Sequence, residues 1–431
     1  MRLQLQKFNV KHVDFADQTA FDGGVLHINK EELKALLEAD ARFSRFDIEL
    51  AHPGESIRIL QVADIIQPRA RRNGGDFPGI LSQAVTIEDN GITDVLSGAA
   101  VVLIDECGNN CGVTHDAVGN TIDMNGPGAD ISTYGKTCNI CLIPYAADCV
   151  DITEDDFKIA CKVAGLKAAV YLAQACKDLE PDEVEVYELP PTAEASKGME
   201  HLPRVAYIFN MYRYYLKDEF AIYGRTYSWF PSVFMHPNEF FDGAVVNPYL
   251  NANGPSPATI DTYTIQNHPV IKELYRRHGK EICFLGVIPT GAQLEESSVE
   301  MQANVAVKLA KSLGADGIIL TKAPGGSPQL DVARAAIKAG ELGMKAVLIL
   351  DDIAARSPDG KFRTNGIMYD DPRASAIVNT GNCSEIVELP SVERTIGHHV
   401  DGANGELRRI RMALIGQGGQ LGNTHTVEVE Y

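Results

Sequence analysis

The chain has 431 residues and a formal net charge of −19, from 39 Lys+Arg against 58 Asp+Glu. That acid surplus excludes general nucleic-acid binding, because neutralising phosphates takes Lys and Arg in excess. Hydrophobic residues at 45% and charged residues at 23% are ordinary for a globular chain, and roughly 150 residues per domain predicts two or three domains.

The N-terminus, MRLQLQKFNV, alternates polar and apolar residues as a strand does and lacks the apolar stretch of a signal peptide. No uninterrupted apolar run approaches the ~18–20 residues that cross a bilayer. Nine cysteines is an odd number in a long chain, so reduced thiols in the cytoplasm are expected rather than a disulfide framework.

Leu3–Val10 is the first expected strand and Val25–Ile28 the second, followed by a helix starting at Asn29. There Asn29-Lys-Glu-Glu32 sets a capping side chain three residues before Glu32. Strands are expected at Phe46–Leu50, Ile57–Val62 and Ala99–Ile104, with turns at Pro53-Gly54, Asn73-Gly-Gly75 and Pro78-Gly79. Thr153-x-x-Asp156 starts a helix running toward Leu179, and its many alanines predict close packing. Glu180–Leu202, with Pro190-Pro191, reads as a linker.

The second half alternates. Strands are expected at Val205–Phe209, Ile282–Ile288, Gly317–Leu320, Ala346–Leu350 and Ala376–Asn379, with helices at Ser298–Leu313 and Asp331–Leu342 between them. The fold class read from this is α/β. A β-rich α+β domain (residues 1–190) is followed by a doubly wound, Rossmann- or flavodoxin-like parallel-sheet domain (191–431). The turns after Leu320 and Leu350 then fall at the carboxyl edge, where open sheets place their sites.

Cys107 and Cys111 lie four apart and Cys138 and Cys141 three apart, with His115 between the pairs. The spacing is only loosely that of a zinc site, and Asn139-Ile140 is no knuckle turn. Cys138-x-x-Cys141 is also the spacing of thiol–disulfide exchange. Cys161, Cys176 and Cys283 read as core thiols, and His268, His278, His398 and His399 have no metal spacing. Gly416–Gly422 and Ala323–Ser327 lack the context of a dinucleotide or phosphate loop, and no Gly-x-Ser-x-Gly elbow is present. The Arg69, Arg71, Arg72 cluster stands alone and reads as a solvated loop.

Several stretches resemble a known family. They are Thr121-Ile-Asp-Met-Asn-Gly-Pro-Gly-Ala129, Lys136-Thr-Cys-Asn-Ile-Cys141, Ala51-His-Pro-Gly-Glu-Ser-Ile-Arg58, Phe77-Pro-Gly-Ile-Leu-Ser82, Glu183–Glu188, Phe241-Asp-Gly-Ala-Val-Val246, Ile271–Glu281 and Gly397-His398. Their order and spacing resemble the alpha/beta proprotein of component B of the glycine, sarcosine and betaine reductases, nearly end to end. The resemblance implies a multi-subunit reductase cleaving a C–N bond at the α-carbon of a small amino acid or methylated amine. In that family the proprotein is cut between an Asn and a Cys, and the Cys becomes a pyruvoyl group. Its carbonyl condenses with the substrate amine. A selenolate or thiolate of a gamma subunit then displaces the nitrogen, leaving a thioether or selenoether that other components turn into acetyl phosphate.

This chain departs from the pattern at the cleavage site. After Val246 it reads Asn247-Pro-Tyr-Leu-Asn-Ala-Asn-Gly-Pro-Ser-Pro-Ala-Thr259, without cysteine. Ser256 follows Pro255, neither Ser256 nor Thr259 follows an Asn, and Asn382-Cys383 lies elsewhere in the pattern. The expectation is a chain that stays whole and carries no pyruvoyl, hence no cofactor. Quaternary ammonium substrates such as betaine suit that expectation, since they form no imine. Tyr212, Tyr214, Tyr215, Tyr223, Tyr227, Trp229 and Phe230 offer aromatic faces for such a cation, although core packing explains them as well.

The expected role is a substrate-binding subunit of an oligomeric complex, with a selenocysteine- or cysteine-containing gamma subunit as partner. Its candidate catalytic residues are Asn247, Tyr249, Asn251 and Asn253, with Cys138 and Cys141 behind them. A non-catalytic scaffold subunit and a thiol redox protein remain the alternatives.

Overall fold

Alternation in the first residues becomes strand Arg2–Asn9, which buries Leu3, Leu5 and Phe8. The protein is represented by a computed structural model that describes residues 1–73, 75–83, 90–105, 118–148, 153–195, 197–211, 220–226, 232–247, 260–291, 296–322, 327–352, 374–382, 385–398, 401–416, 421 and 427–430. It is a mixed α/β structure with several sheets.

Two four-stranded sheets dominate the N-terminal half. One runs Glu183–Glu188, Arg2–Asn9, Asn90–Ser97, Arg69–Arg71; the other runs Phe43–Ala51, Cys138–Ala146, Ala99–Ile104, Val62–Ile66. The strand at Glu183–Glu188 corrects the reading of Glu180–Leu202 as a linker. Its Glu/Pro density hid an alternation that pairs antiparallel with Arg2–Asn9, opposing Leu3 to Tyr187, and Lys7 and Arg2 neutralise its acids. The expected strand Ile57–Val62 is two strands in different sheets, because Gln61 takes a left-handed φ of 54° and turns the chain between them.

The first helix, Lys30–Glu38, is capped as expected: Asn29 accepts hydrogen bonds from the amides of Glu31 and Glu32. Thr153 caps the long helix Glu154–Ala173, whose first turn carries Glu154, Asp155 and Asp156 at the positive end of the dipole. The alanines permit the close packing expected. At Gly165 an added Cβ would lie 2.9 Å from Ile66 Cδ1, so the helix rests closely on the strand and a side chain there would have to displace the end of Ile66. The stretch Glu154–Cys176 is long and apolar enough to cross a membrane by length and composition, but it is mostly buried inside the fold, as a core helix is.

The second half contains a sheet ordered Cys283–Gly291, Arg204–Met211, Gly317–Lys322, Lys345–Asp352, Ala376–Asn382, Val427–Glu430. The first five strands are parallel and the last antiparallel. Helices Glu296–Ser312 and Ser327–Glu341 fill the connections predicted for them. Along Arg204–Met211, Ala206 and Ile208 enter one apolar core while Tyr207 and Phe209 enter another. Both faces are therefore covered, as parallel sheets require.

A segment beyond Ile386 returns to the N-terminal half before Val427–Glu430 closes the C-terminal sheet. Arg394–Ile396 pairs parallel with Ile57–Ile59, and the buried Arg58 secures the return. Its Nε and Nη2 donate to the Asp123 carboxylate at 2.7 and 3.0 Å. Its Nη1 donates to Ala403 O and Gly405 O, both at 2.8 Å, and Nη2 to Pro390 O at 2.7 Å.

Removing one member of such a pair strands the other, so Arg58→Leu is expected to lower stability by about 3–5 kcal/mol in urea unfolding. Adding Asp123→Leu should recover part of that loss, since no charge is then left buried.

Candidate functional site

Asn247 is the last described residue before the loop and Ile260 the first after it. Tyr249, Asn251 and Asn253 lie outside the described residues, so the site is defined by the two stems. Asn247 is fully buried. Its amide donates to Thr262 Oγ1 at 3.0 Å. The Thr262 hydroxyl in turn donates to Asp64 Oδ2 at 2.6 Å, and its amide to Asp64 Oδ1 at 2.9 Å. On the other side the Lys162 ammonium, from the long helix, donates to the carbonyl of Asn247.

Four separate pieces of chain thus converge: the strand carrying Asp64, the helix carrying Lys162, and both stems of the loop. Burial raises the Asp64 carboxyl above its usual range, and Lys162 and the Thr262 hydrogen bonds oppose that rise. A second carboxylate lies next in sequence to Thr262. Asp261 caps helix Thr262–Gln266, accepting from the Thr264 amide at 2.8 Å and from the Tyr134 hydroxyl at 2.5 Å. Burial first, and Asp64 in part, push Asp261 up to about 7. On the neighbouring strand the buried Arg69 donates to Gln67 Oε1 and to Phe241 O, and burial brings it down to about 10.

Chemically, this network fixes two backbone stems and polarises one peptide carbonyl with an ammonium. It also holds a carboxyl group that exchanges its proton near neutrality. The sequence signals were an acid inside the apolar run Val62-Ala-Asp-Ile-Ile66 and a lysine among the alanines of a core helix. Without partners in view, neither pointed to the other.

Cys138 and Cys141 are not brought together. They sit on one strand three residues apart, which turns their side chains to opposite faces. Cys138 enters one apolar core and Cys141 another, both are free thiols, and burial pushes both upward. This geometry corrects the reading of the pair as a thiol–disulfide centre. Cys107, Cys111 and His115 lie outside the described residues, and among the described residues no group of His, Cys, Asp and Glu could hold a metal ion. Of the aromatic run, Tyr223 is described. It hydrogen-bonds Glu239, which burial pushes up to about 7. His268 is a core histidine 3.1 Å from the Tyr207 hydroxyl, held neutral by burial at about 3. His399 lies outside the described residues, and the His398 ring meets Tyr145 edge-on at 4.8 Å.

Comparisons with known proteins define the family. Residues 1–414 match the family described as glycine/sarcosine/betaine reductase component B subunits. The chain is 36% identical over 404 residues to the glycine reductase complex component B subunits alpha and beta of Acetoanaerobium sticklandii, covering 92% of this chain and 89% of the relative. It is 34% identical over 400 residues to the sarcosine reductase complex component B subunit alpha of Peptoclostridium acidaminophilum, covering 92% and 89%. The betaine reductase complex component B subunit alpha of the same organism is 32% identical over 403 residues, covering 92% and 88%. No solved structure matches. The chain belongs to the family of glycine/sarcosine/betaine reductase component B subunits.

Lys162→Met removes the donor to Asn247 O and the cation nearest Asp64, so a loss of about 3–5 kcal/mol is expected in chemical unfolding. Asp261 has a folded-state value of about 7 against an ordinary 3.8. Its contribution is therefore complete below pH ~4 and is lost as pH rises through ~7. Asp261→Asn has no such loss, and its stability relative to the parent protein should climb between those pH values in parallel unfolding series.

Proposed function

We propose that this chain is the substrate-binding subunit of a component-B-type reductase complex, acting in the cytoplasm with a partner subunit that carries a selenol or thiol. Family membership supports the oxidoreductase-complex role, and the relatives' names give the range of substrates as glycine, sarcosine and betaine. The partner's selenolate or thiolate forms a bond to the substrate α-carbon, the C–N bond breaks, and its electron pair leaves on nitrogen.

The residues present do not fit the pyruvoyl group of the family. No cysteine lies between Val246 and Ile260, and the described free cysteines sit on the core elements at 138, 141, 161, 176 and 283. No step is routed through that group. A substrate whose nitrogen is already quaternary needs no carbonyl, because it departs as a neutral tertiary amine. The observation that carries this reading is the pairing of a cysteine-free loop with stems fastened by Lys162, Thr262 and Asp64.

The finer fold assignment belongs to the same proposal. The parallel strands run second, first, third, fourth, fifth in chain order, which supports a doubly wound, flavodoxin-type domain after a β-rich domain divided from it near residue 190. In that order ligands gather at the carboxyl ends between the first and third strands.

Intact mass under denaturing conditions tests the central point. A single species near 46.8 kDa, unreactive to hydrazine, is expected. Two fragments summing to that mass, one of them blocked and hydrazine-reactive, would overturn the proposal. An intact chain that binds neither betaine nor a small amino acid in the assembled complex would instead favour the scaffold role.

A further inference from the structure

The strand at Glu183–Glu188 ends its sheet, with Arg2–Asn9 as its one neighbour among the described residues. The Met1 nitrogen donates to Leu189 O at 2.8 Å, and the Leu189 amide donates to Met1 O at 3.2 Å. An antiparallel ladder alternates such doubly bonded pairs with pairs that exchange no hydrogen bond. In the register that follows, Tyr187, Glu185 and Glu183 turn their backbone groups to Leu3, Leu5 and Lys7. Val184, Val186 and Glu188 turn theirs outward, to the open side of the strand.

Proteins usually guard such an edge with proline, a bulge, a covering segment or charge. This strand has no proline and no shift of register. Tyr187 packs one face into the core, whereas Val184 and Val186, on the other face, are 45% and 48% exposed. With Leu179, they put three of the seven exposed large hydrophobics among the described residues within eight positions. Only charge guards the edge. Six acids (Asp178, Glu180, Asp182, Glu183, Glu185, Glu188) surround it. Four cations stand against them, with Arg2, Lys7 and Lys272 pairing to the strand's glutamates and Lys177 preceding Asp178.

We propose that this edge receives an extended segment of a partner subunit, in which Lys or Arg alternates with apolar residues. Strand addition would satisfy the outward amides and carbonyls and cover the two valines. The charge selects the occupant. A second copy of the chain would set these acids against the same acids, and like charges across strands are destabilising, whereas a basic segment meets them with opposite sign. The inference rests on the reading of this chain as a complex subunit, and it does not depend on the substrate or on the loop after Asn247.

Hydrogen exchange of the assembled complex against the free full-length chain tests this. The amides of Val184, Val186 and Glu188 are expected to exchange at least tenfold more slowly in the complex, with Glu185 and Tyr187 unchanged. Val186→Pro removes an outward N–H and leaves the ladder to Arg2–Asn9 its donors. It should weaken assembly at least tenfold in sedimentation while circular dichroism stays that of the parent. Asp178→Lys with Glu180→Lys, both on exposed side chains, should weaken assembly about tenfold at low salt and less at high salt. Outward amides that exchange equally in both states, or assembly unchanged in Val186→Pro or in the charge-reversed chain, would overturn the proposal. So would a free chain that protects these amides by pairing with itself. A chain that forms no complex removes the subunit reading as well, whereas a complex with unprotected amides removes this inference alone.

Discussion

Everything around the loop stems depends on how a carboxylate is kept inside a strand. Val62–Ile66 is buried along its whole length, and Asp64 in its middle would be prohibitively costly without donors around it. Three arrive: the Ile65 amide at 2.9 Å, the Thr262 amide and the Thr262 hydroxyl. Because that hydroxyl has one proton and gives it to Asp64, it can only accept from Asn247. The direction of the chain of hydrogen bonds is therefore set by the acid, and the acid sets where both stems of the loop sit. Lys162 completes the arrangement from the helix side, and Gly165, one turn further on, lets that helix come close enough to reach.

How much of this was legible in the sequence follows from the range of each cause. Caps and alternation are local, so Asn29, Thr153 and the five parallel strands were readable where they stand. The strand at Glu183–Glu188 was not, because its partners lie at the other end of the N-terminal half and its glutamates resemble a solvated segment until Lys7 and Arg2 face them. The break at Gln61 was equally hidden, since an apolar run gives no sign of a left-handed residue within it. At the site, the loop was found from the departure of Asn247–Thr259 from a family pattern, but its supports were not. Asp64, Lys162 and Thr262 come from three regions of the sequence, and each alone looks like an isolated polar residue. Cys138 and Cys141 misled in the opposite sense: spacing suggests a pair, and the two-residue repeat of a strand separates them.

Arg58 has a different kind of consequence, one of time. Its acceptor at Ala403 lies 345 positions along the chain, and strand Ile57–Ile59 has Arg394–Ile396 as one of its two neighbours. A ribosome adding about 5–20 residues per second takes roughly 20–70 s to cover that distance. Through that interval the guanidinium and one edge of the strand have no native partners, and contacts of such long sequence separation are the slow ones in folding. Chain order and order of completion are thus inverted, so that an N-terminal sheet begun first waits for nearly the last segment to be made.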